Sequence, residues 1–317
     1  MQPQFKDSIK IISLEDLFIV CFVIIDDLYK LYVPEKVRQR PGLLPSSSDS
    51  EIITIAIVGE LSGIDVEIRW YTLVKQLYLY LFPNLNERSR FNRRRRDLAK
   101  VINLLRQRLS EILLDPASPV HGAESPDDPW RIIDSFPIVI ANWGRRSRVR
   151  VARDKGGFGI VQSKQIHFFG FRLHLLTTLE GLVDTFILAP ANASDITLAP
   201  EVMEGRTDLL VLGDKIYSSP PLVEEMEKSG IKMVALVNRQ WHEPLPQKTE
   251  KLIKSVRQMI ETVGSQMTQV LHIERNLAKS ELGIETRIAG KLLSHTLGFF
   301  LNQLLGRSPL KLASLIY

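Results

Sequence analysis

The amino-acid sequence predicts an α/β protein with a mixed β-sheet flanked by helices, preceded by an all-helical N-terminal region. Before about residue 115, hydrophobic residues recur every three or four positions, whereas after about residue 130 short β-rich runs alternate with helical patterns. Between these parts, residues 115–129 (DPASPVHGAESPDDP) carry four prolines and four carboxylates, so they neither continue a helix nor bury much surface. We therefore predict a helical region at 1–118, an α/β domain at 128–305 and a C-terminal tail at 306–317.

Bulk composition narrows the class of protein. The 44% hydrophobic and 24% charged fractions of the 317 residues are those of a globular chain, and the net charge of +5 favours an anionic partner without deciding it. Cys21 is the only cysteine, which excludes an intrachain disulfide and a cysteine-based zinc site and favours a reducing, cytoplasmic compartment. The apolar run at 17–25 is shorter than the roughly 20 residues that span a membrane, so we expect a buried helix there.

Three further helices are predicted in the N-terminal region. Ser48 or Asp49 is placed to cap a helix over SEIITIAIVGEL, and a second helix covers Val66 to Leu81, ending before Pro83. A third is expected over residues 88–114. Its buried stripe follows the three- or four-residue spacing of Leu98, Val101, Leu105, Leu109 and Ile112.

The second half reads as strands that give way to alternating helices and strands. A strand at 130–140 is followed by a hairpin of 165–178 and 182–189, then by a helix at 195–204 and a strand at 208–213. A helix at 220–229, a strand at 231–237 and a helix at 248–270 complete the order β-β-β-α-β-α-β-α. This is the order of an RNase-H-like fold, in which the first and fourth strands are neighbours.

Two aspartates occupy positions that suit divalent-cation chemistry. Asp134 lies within the first, apolar strand, where an acid is costly unless it is paired or bound to metal. Asp214 follows the apolar strand LLVLG, at the end where open sheets place their sites. Each has an ordinary explanation, as an exposed edge residue for Asp134 and as a turn or cap for Asp214. Their occurrence in two strands expected to be neighbours favours a metal site.

The third carboxylate is less certain from the residues alone. Glu250, Glu261, Glu274, Glu281 and Glu285 are all candidates. Glu261 lies near the apolar face of the long predicted helix, and Arg257 one turn earlier is placed to pair with it or to hold a phosphate. A plain surface pair explains the same spacing.

Together, these residues resemble the DDE transposases of bacterial insertion sequences. The similar blocks run from about Ser48 to the C-terminus: SDSEIITIAIVGEL, RSRFNRRRR, IIDSFPIVI, KQIHFFGFRLHLLTTLEGLVDTFILAPANASD, VLGDKIYSS and RQMIETVGSQM. The resemblance implies that Asp134, Asp214 and Glu261 are the catalytic, metal-binding triad. It also implies an assembly of two or more copies on DNA.

Some positions depart from that family pattern. Ile216 stands before Tyr217 where a small residue is usual, and Gly264 stands where an aromatic residue is common. In a related pattern a tyrosine precedes the glutamate by seven residues and a lysine follows it by seven, and here these positions hold Lys254 and Thr268. The departures leave the triad intact, and they favour a weakened copy as an alternative.

Arginines supply the expected DNA contacts. The densest run predicts phosphate binding by Arg88, Arg90, Arg93, Arg94, Arg95 and Arg96, together with Arg257. A solvated basic face is the alternative, because four consecutive arginines spread around a helix. Six phosphate contacts would give a salt slope of about −5 in log K. A second basic cluster, Arg145 to Lys155, follows the first strand and is placed to guide DNA.

The sequence thus predicts a transposase that cleaves and joins strands at insertion-sequence ends with two Mg²⁺ (or Mn²⁺) ions. Its partners would be double-stranded DNA, both terminal inverted repeats and target, near the bacterial nucleoid. No nucleotide cofactor is expected, since the stretch from Gly283 to Lys291 lacks the spacing and hydroxyl of a phosphate loop. An RNase-H-like nuclease without strand transfer and an inactive or domesticated DNA-binding copy remain alternatives.

Overall fold

The computed structural model describes residues 11, 13–39, 45–115, 129–161, 165–235 and 247–316. The chain forms two compact units. Unit 1 comprises Met1–His121, Gln266–Ile273 and Leu277–Tyr317, and unit 2 comprises Gly122–Ser265 and Glu274–Asn276. These units place the last long helix with the N-terminal helices, whereas the sequence analysis assigns it to the α/β domain.

Unit 1 is built from helices. Their bounds are α1 (Leu14–Tyr32), α2 (Glu35–Arg38), α3 (Asp49–Leu61), α4 (Glu67–Leu77), α5 (Arg88–Asp97), α6 (Ala99–Leu114) and α10 (Glu281–Leu304). A short π-helical turn (Gln266–Val270) and a 3₁₀ turn (Leu312–Leu315) also belong to it. Within the described residues, none of the helices combines the length and the apolarity needed to cross a membrane.

Helix α3 begins where the sequence predicts. The Ser48 side chain accepts a hydrogen bond from the backbone N–H of Glu51, and the Glu51 carboxylate accepts one from the backbone N–H of Ser48, which forms a capping box. Nearly the whole helix is buried, including Glu60. The Glu60 carboxylate lies 2.6 Å from Nζ of Lys291 on α10, so a buried ion pair ties α10 to the N-terminal helices.

The predicted single helix over residues 88–114 is wrong in one respect. The helix is interrupted at Leu98, which ends α5 and precedes α6. Leu98 is completely buried, and α5 directs two of its last arginines at carboxylates of unit 1 instead of continuing the direction of α6. Periodicity alone does not reveal such a break, because the apolar spacing continues across it.

Unit 2 is a sheet with helices on both faces. The strands are β1 (Trp130–Asn142), β2 (Gly157–Val161), β3 (Ile166–Thr178), β4 (Val183–Pro190), β5 (Leu210–Gly213) and β6 (Lys232–Ala235). The helices are α7 (Asp195–Val202), α8 (Pro220–Lys228) and α9 (Gln247–Ser265), with 3₁₀ turns at Trp143–Arg148 and Lys215–Ser218.

The sheet is mixed, as predicted. Strand β1 pairs antiparallel with β3 on one side and parallel with β5 on the other, and β6 continues parallel beyond β5. Strands β2 and β4 both pair with the edge of β3 that faces away from β1. Strand β2 pairs with the first residues of β3, and β4 pairs with the remaining residues of β3. The expected neighbouring of the two aspartate-bearing strands is therefore confirmed, within an α/β architecture consistent with an RNase-H-like domain.

Strand β2 was not predicted. Its segment is rich in glycine, which is unfavourable in strands. The glycines are required by close packing: a Cβ built on Gly157 would lie 1.9 Å from Oδ1 of Asn192, and one on Gly159 would lie 2.8 Å from Cβ of Ala191. The residues that weaken the sequence signal are thus those that let β2 approach the exit of β4.

Two apolar clusters cover the two faces of the sheet. On one face, Ile132 and Leu212 pack with Val256 of α9. On the other face, Ile133 and Val211 pack with residues of α7 and α8. Because successive side chains of a strand alternate between faces, Asp134 shares the α9 face with Ile132.

Candidate active site

The register of two strands places Asp134 beside Asp214. The last paired position between the parallel strands β1 and β5 is Ile133 with Gly213, and each aspartate is the next residue in its strand direction. Neighbouring strands lie about 4.8 Å apart, so both carboxylates leave the sheet at one place. Asp214 is exposed where β5 ends, and its carbonyl accepts a hydrogen bond (2.9 Å) from the backbone N–H of Tyr217, which closes the following turn.

Asp134 is in an unfavourable environment for a carboxylate. Burial raises its pKa to about 6, and the negative charges of Asp195 and Asp214 add to the increase. The backbone N–H of Ser135, which donates to Asp134 Oδ1 at 2.8 Å, and the charge of Arg172 oppose the shift without cancelling it. The fold therefore disfavours the charged form of the Asp134 carboxylate, which lies beside a second carboxylate at Asp214.

A buried polar cluster behind β1 was not identified from the sequence. Asp195, the first residue of α7, lies 3.3 Å from Nη1 of Arg172 and 3.4 Å from Nδ1 of His174. His174 is fully buried, and burial lowers its pKa, so its imidazole is neutral. It pairs across the sheet with Ser135, on the face opposite Asp134. Asp195 is the first residue of a helix predicted soon after β4, and an acidic residue at such a position is explained by ordinary helix capping.

Tyr217 lies between this cluster and the aspartate pair. Its hydroxyl is buried and makes no hydrogen bond to any described residue. Burial raises its pKa well above the ordinary value, and the charges of Asp195, Asp134 and Asp214 add to the effect. The phenol is therefore protonated and offers a hydrogen-bond donor beside the carboxylates.

Glu261 is carried by α9 on the correct face of the sheet but is exposed. Gly264, one turn later, faces the ring of Phe136, since a Cβ on Gly264 would lie 3.1 Å from Cε1 of that ring. Phe136 shares its strand face with Asp134. The Phe136 ring thus occupies the space beside α9 where an aromatic residue at position 264 would otherwise pack.

The structure does not gather the three predicted ligands into one cluster. Among the described residues, no group of three or more His, Cys, Asp or Glu side chains lies close enough to hold a metal ion. The register brings Asp134 and Asp214 together, and Glu261 is present only on the helix that covers the same face.

The predicted DNA-binding arginines divide into two groups. Arg94 forms an ion pair with Asp49, and Arg95 lies 3.0 Å from a carboxylate oxygen of Glu67, so both side chains have partners within unit 1. Arg96 is half-buried. Arg88, Arg90 and Arg93 are exposed, and Arg88 also has a carboxylate neighbour, because its Nη1 lies 3.9 Å from a carboxylate oxygen of Glu67. The side chain of Arg257 lies outside the described residues.

Comparison with known families decides the class of the domain. Residues 126–281 match the family described as "Transposase DDE domain". The chain contains a transposase DDE domain. The matched segment spans β1, β5 and α9, and therefore all three residues of the predicted triad. Comparisons with curated proteins and with solved structures found no match.

DDE transposase domains generally use divalent metals, and the residues present fit such an ion. Carboxylate oxygens are the ligands that Mg²⁺ and Mn²⁺ prefer. Burial is the main cause of the raised pKa of Asp134, with smaller contributions from the charges of Asp195 and Asp214, and a bound cation would favour the ionised carboxylate. Asp134 and Asp214 would hold it, and Glu261 on α9 is the third ligand that the family resemblance predicts.

Proposed function

We propose that this transposase cleaves DNA strands at the ends of an insertion sequence and joins them to a target, using Asp134, Asp214 and Glu261 as metal ligands. The observation that carries the proposal is the in-register placement of Asp134 and Asp214 on adjacent parallel strands within a transposase DDE domain. The partners would be double-stranded DNA carrying terminal inverted repeats and the target, bound by a homodimer or larger assembly.

Each residue has a defined task. Asp134 and Asp214 would hold the cation next to the last paired position of β1 and β5, which is where we place the scissile phosphate. Bound Mg²⁺ or Mn²⁺ supplies activation of water, or of a DNA 3′-hydroxyl, and stabilises the leaving oxygen. The half-buried ion pair of Asp195 and Arg172 holds α7 against β3, the strand that pairs with β1, and Tyr217 offers a hydroxyl proton from its buried side chain.

A cleavage-and-joining assay tests the chemistry. Wild type is compared with Asp134→Asn, Asp214→Asn and Glu261→Gln on DNA bearing the flanking repeats, with Mg²⁺ and with EDTA. Metal-dependent joining that is lost in all three variants is the expected result. Glu274→Gln is the matched control, because Glu274 was a competing candidate on the sequence and lies outside α9. Cleavage without joining would instead identify a nuclease.

We infer that Arg88, Arg90 and Arg93 contact DNA phosphates, because they are the exposed members of the basic helix α5. Replacing all three with glutamine should reduce the slope of log K against log salt by about 3. The measurement is fluorescence anisotropy of a labelled repeat duplex between low and moderate salt. An unchanged slope would show that α5 does not contact the backbone.

An inactive DNA-binding copy is the second candidate. It is favoured by the exposed position of Glu261 and by the lack of a three-residue cluster among the described residues. Salt-dependent DNA binding by the wild type, without cleavage in Mg²⁺ or Mn²⁺, is the result that would select it.

A further inference from the structure

An aromatic cluster lies at the end of β1 far from Asp134. The ring of Trp143 meets Phe158 edge-on, with centroids 5.5 Å apart, and lies 5.2 Å from the ring of His167. Phe158 in turn rests on Phe169, which is buried, with centroids 5.3 Å apart. We call Trp143, Phe158 and His167 the aromatic platform. It joins the end of β1 to both strands of the β2–β3 pair.

The three rings of the aromatic platform are not part of the hydrophobic core. Trp143 is 44% exposed and Phe158 is 50% exposed, and His167 is also exposed. Large rings are usually the best buried side chains of a protein, so adjacent exposed rings indicate a surface that contacts something else.

The surroundings of the platform are strongly basic. Residues 143–155 contain six lysines and arginines against a single acid, Asp154. The Arg146 guanidinium lies over the Trp143 indole, 4.3 Å from the ring centroid, and donates a hydrogen bond of 3.1 Å to the Trp143 carbonyl. All six basic side chains of this segment are exposed: Arg145, Arg146, Arg148, Arg150, Arg153 and Lys155. A polyanion with flat apolar groups fits this combination of charge and rings.

We propose that the aromatic platform stacks with unpaired bases of DNA while the neighbouring arginines hold the backbone. A ring stacks only on a base whose face is open, and bases inside a duplex present their edges instead. The ligand is therefore single-stranded, flipped or frayed DNA. A base that stacks on Trp143 takes the place of the Arg146 guanidinium, which is then free to bind the phosphate of the same nucleotide.

The platform is separate from the aspartate pair. Nine residues of extended chain at about 3.3 Å each place Trp143 about 30 Å from Asp134 along β1. The site thus adds to the proposed function a second DNA contact with its own preference for strandedness. It does not depend on the metal ligands, so binding can be measured in EDTA without any reaction.

The test compares a 12-nucleotide oligothymidylate with a duplex hairpin that has a closed loop of non-nucleotide linker. Full-length protein in EDTA is titrated with each, and affinity is followed by anisotropy. We expect Trp143→Ala to weaken oligothymidylate binding about tenfold and to leave hairpin binding within about twofold. Arg153→Ala is the control for charge, because it removes one exposed arginine of the same segment without removing a ring.

Intrinsic fluorescence supplies a readout that a structural role would not move. The chain has four tryptophans, so Trp143→Phe removes one emitter while keeping a ring that can stack. The variant should retain most of the affinity for oligothymidylate and lose most of the quenching that oligothymidylate causes in the wild type. Circular dichroism confirms that both Trp143 variants are folded.

Three results would overturn the proposal. The first is an equal loss of oligothymidylate affinity in Trp143→Ala and Arg153→Ala, which would mean that charge alone accounts for binding. The second is an equal effect on oligothymidylate and hairpin. The third is a change of oligomeric mass in Trp143→Ala with unchanged DNA affinity, since the rings would then pack against another copy. Failure of the transposase chemistry is distinguishable, because Asp134→Asn should keep full oligothymidylate binding.

Discussion

Replacing Asp134 by asparagine is expected to make the metal-free protein more stable. The substitution keeps the size of the side chain and an acceptor for the Ser135 backbone N–H, but removes the charge that burial and the neighbouring carboxylates penalise. A gain of stability on removing a proposed metal ligand would indicate a site that holds its charges at a cost to the stability of the fold.

The magnitude follows from the pKa of Asp134, which is about 6 in the folded protein against an ordinary value of 3.8. The folded state binds the proton more tightly than the unfolded state, so stability falls as pH rises from about 4 to about 6 and stays reduced above that. This rise in pKa lowers the free energy of unfolding by about 3 kcal/mol at pH 7.5 and by about 1 kcal/mol at pH 4.5. The stabilisation by asparagine should shrink accordingly on acidification.

Thermal unfolding followed by circular dichroism in EDTA measures this effect. At about 2–4 °C per kcal/mol, the melting temperature of Asp134→Asn should exceed that of the wild type by roughly 6 °C or more at pH 7.5, and by much less at pH 4.5. Asp154→Asn is the control, because Asp154 is an exposed carboxylate of the same unit. Mg²⁺ should raise the melting temperature of the wild type more than that of Asp134→Asn.

The reasoning fails if Asp134→Asn melts at or below the wild-type temperature at pH 7.5 in EDTA. It also fails if the difference between the two proteins is the same at both pH values. Either result would mean that the Asp134 carboxylate is not held against an electrostatic penalty in the metal-free fold.

Three further substitutions test the packing and electrostatics. Gly213→Ala should destabilise the protein by about 1–3 kcal/mol and reduce joining, because the new Cβ would lie 2.6 Å from Cδ2 of Tyr217. A variant with the melting temperature and the joining activity of the wild type would refute this. Arg94→Ala should cost about 3 kcal/mol by removing the cation from the buried Asp49 carboxylate, which keeps its hydrogen bond from the Tyr29 hydroxyl. Denaturant unfolding measures this loss, and an unchanged stability would contradict it. Burial lowers the pKa of His295 from 6.5 to about 4, so the contribution of its neutral form to stability is complete above pH 6.5. The free energy of unfolding then declines by up to about 3 kcal/mol as the pH approaches 4. His295→Leu should flatten that decline, and melting across this pH range measures it.

The sequence predicted the parts of the site that depend on local pattern. The apolar run before Asp214 and the strand around Asp134 were visible as strands, and the strand order then required them to be neighbours, as β1 and β5 are. The sequence offered Ser48 or Asp49 as the cap of α3, and the structure selects Ser48, whose capping box uses residues only three positions apart.

What the sequence did not reveal depends on contacts between distant residues. The arginines of α5 look alike in sequence, and only the fold shows that Arg94 and Arg95 meet Asp49 and Glu67. Asp195, at the start of α7, meets Arg172 and His174 of β3, and no spacing in the sequence predicts this contact. Strand β2 was hidden because its glycines serve packing against the exit of β4.

The short segment Glu274–Asn276 has a consequence for cutting this protein into pieces. Past Ile133, β1 loses its parallel neighbour, and within the described residues Arg275 bridges to Val139 on strand β1. The residues between Ser265 and this segment, Gln266–Ile273, belong to unit 1, so no single cleavage point separates the two units. A fragment ending at Ser265 would lack the bridge to Val139 and would leave that part of the β1 edge unpaired, a template for aggregation. The family match, which continues to residue 281, includes the stretch that protects it.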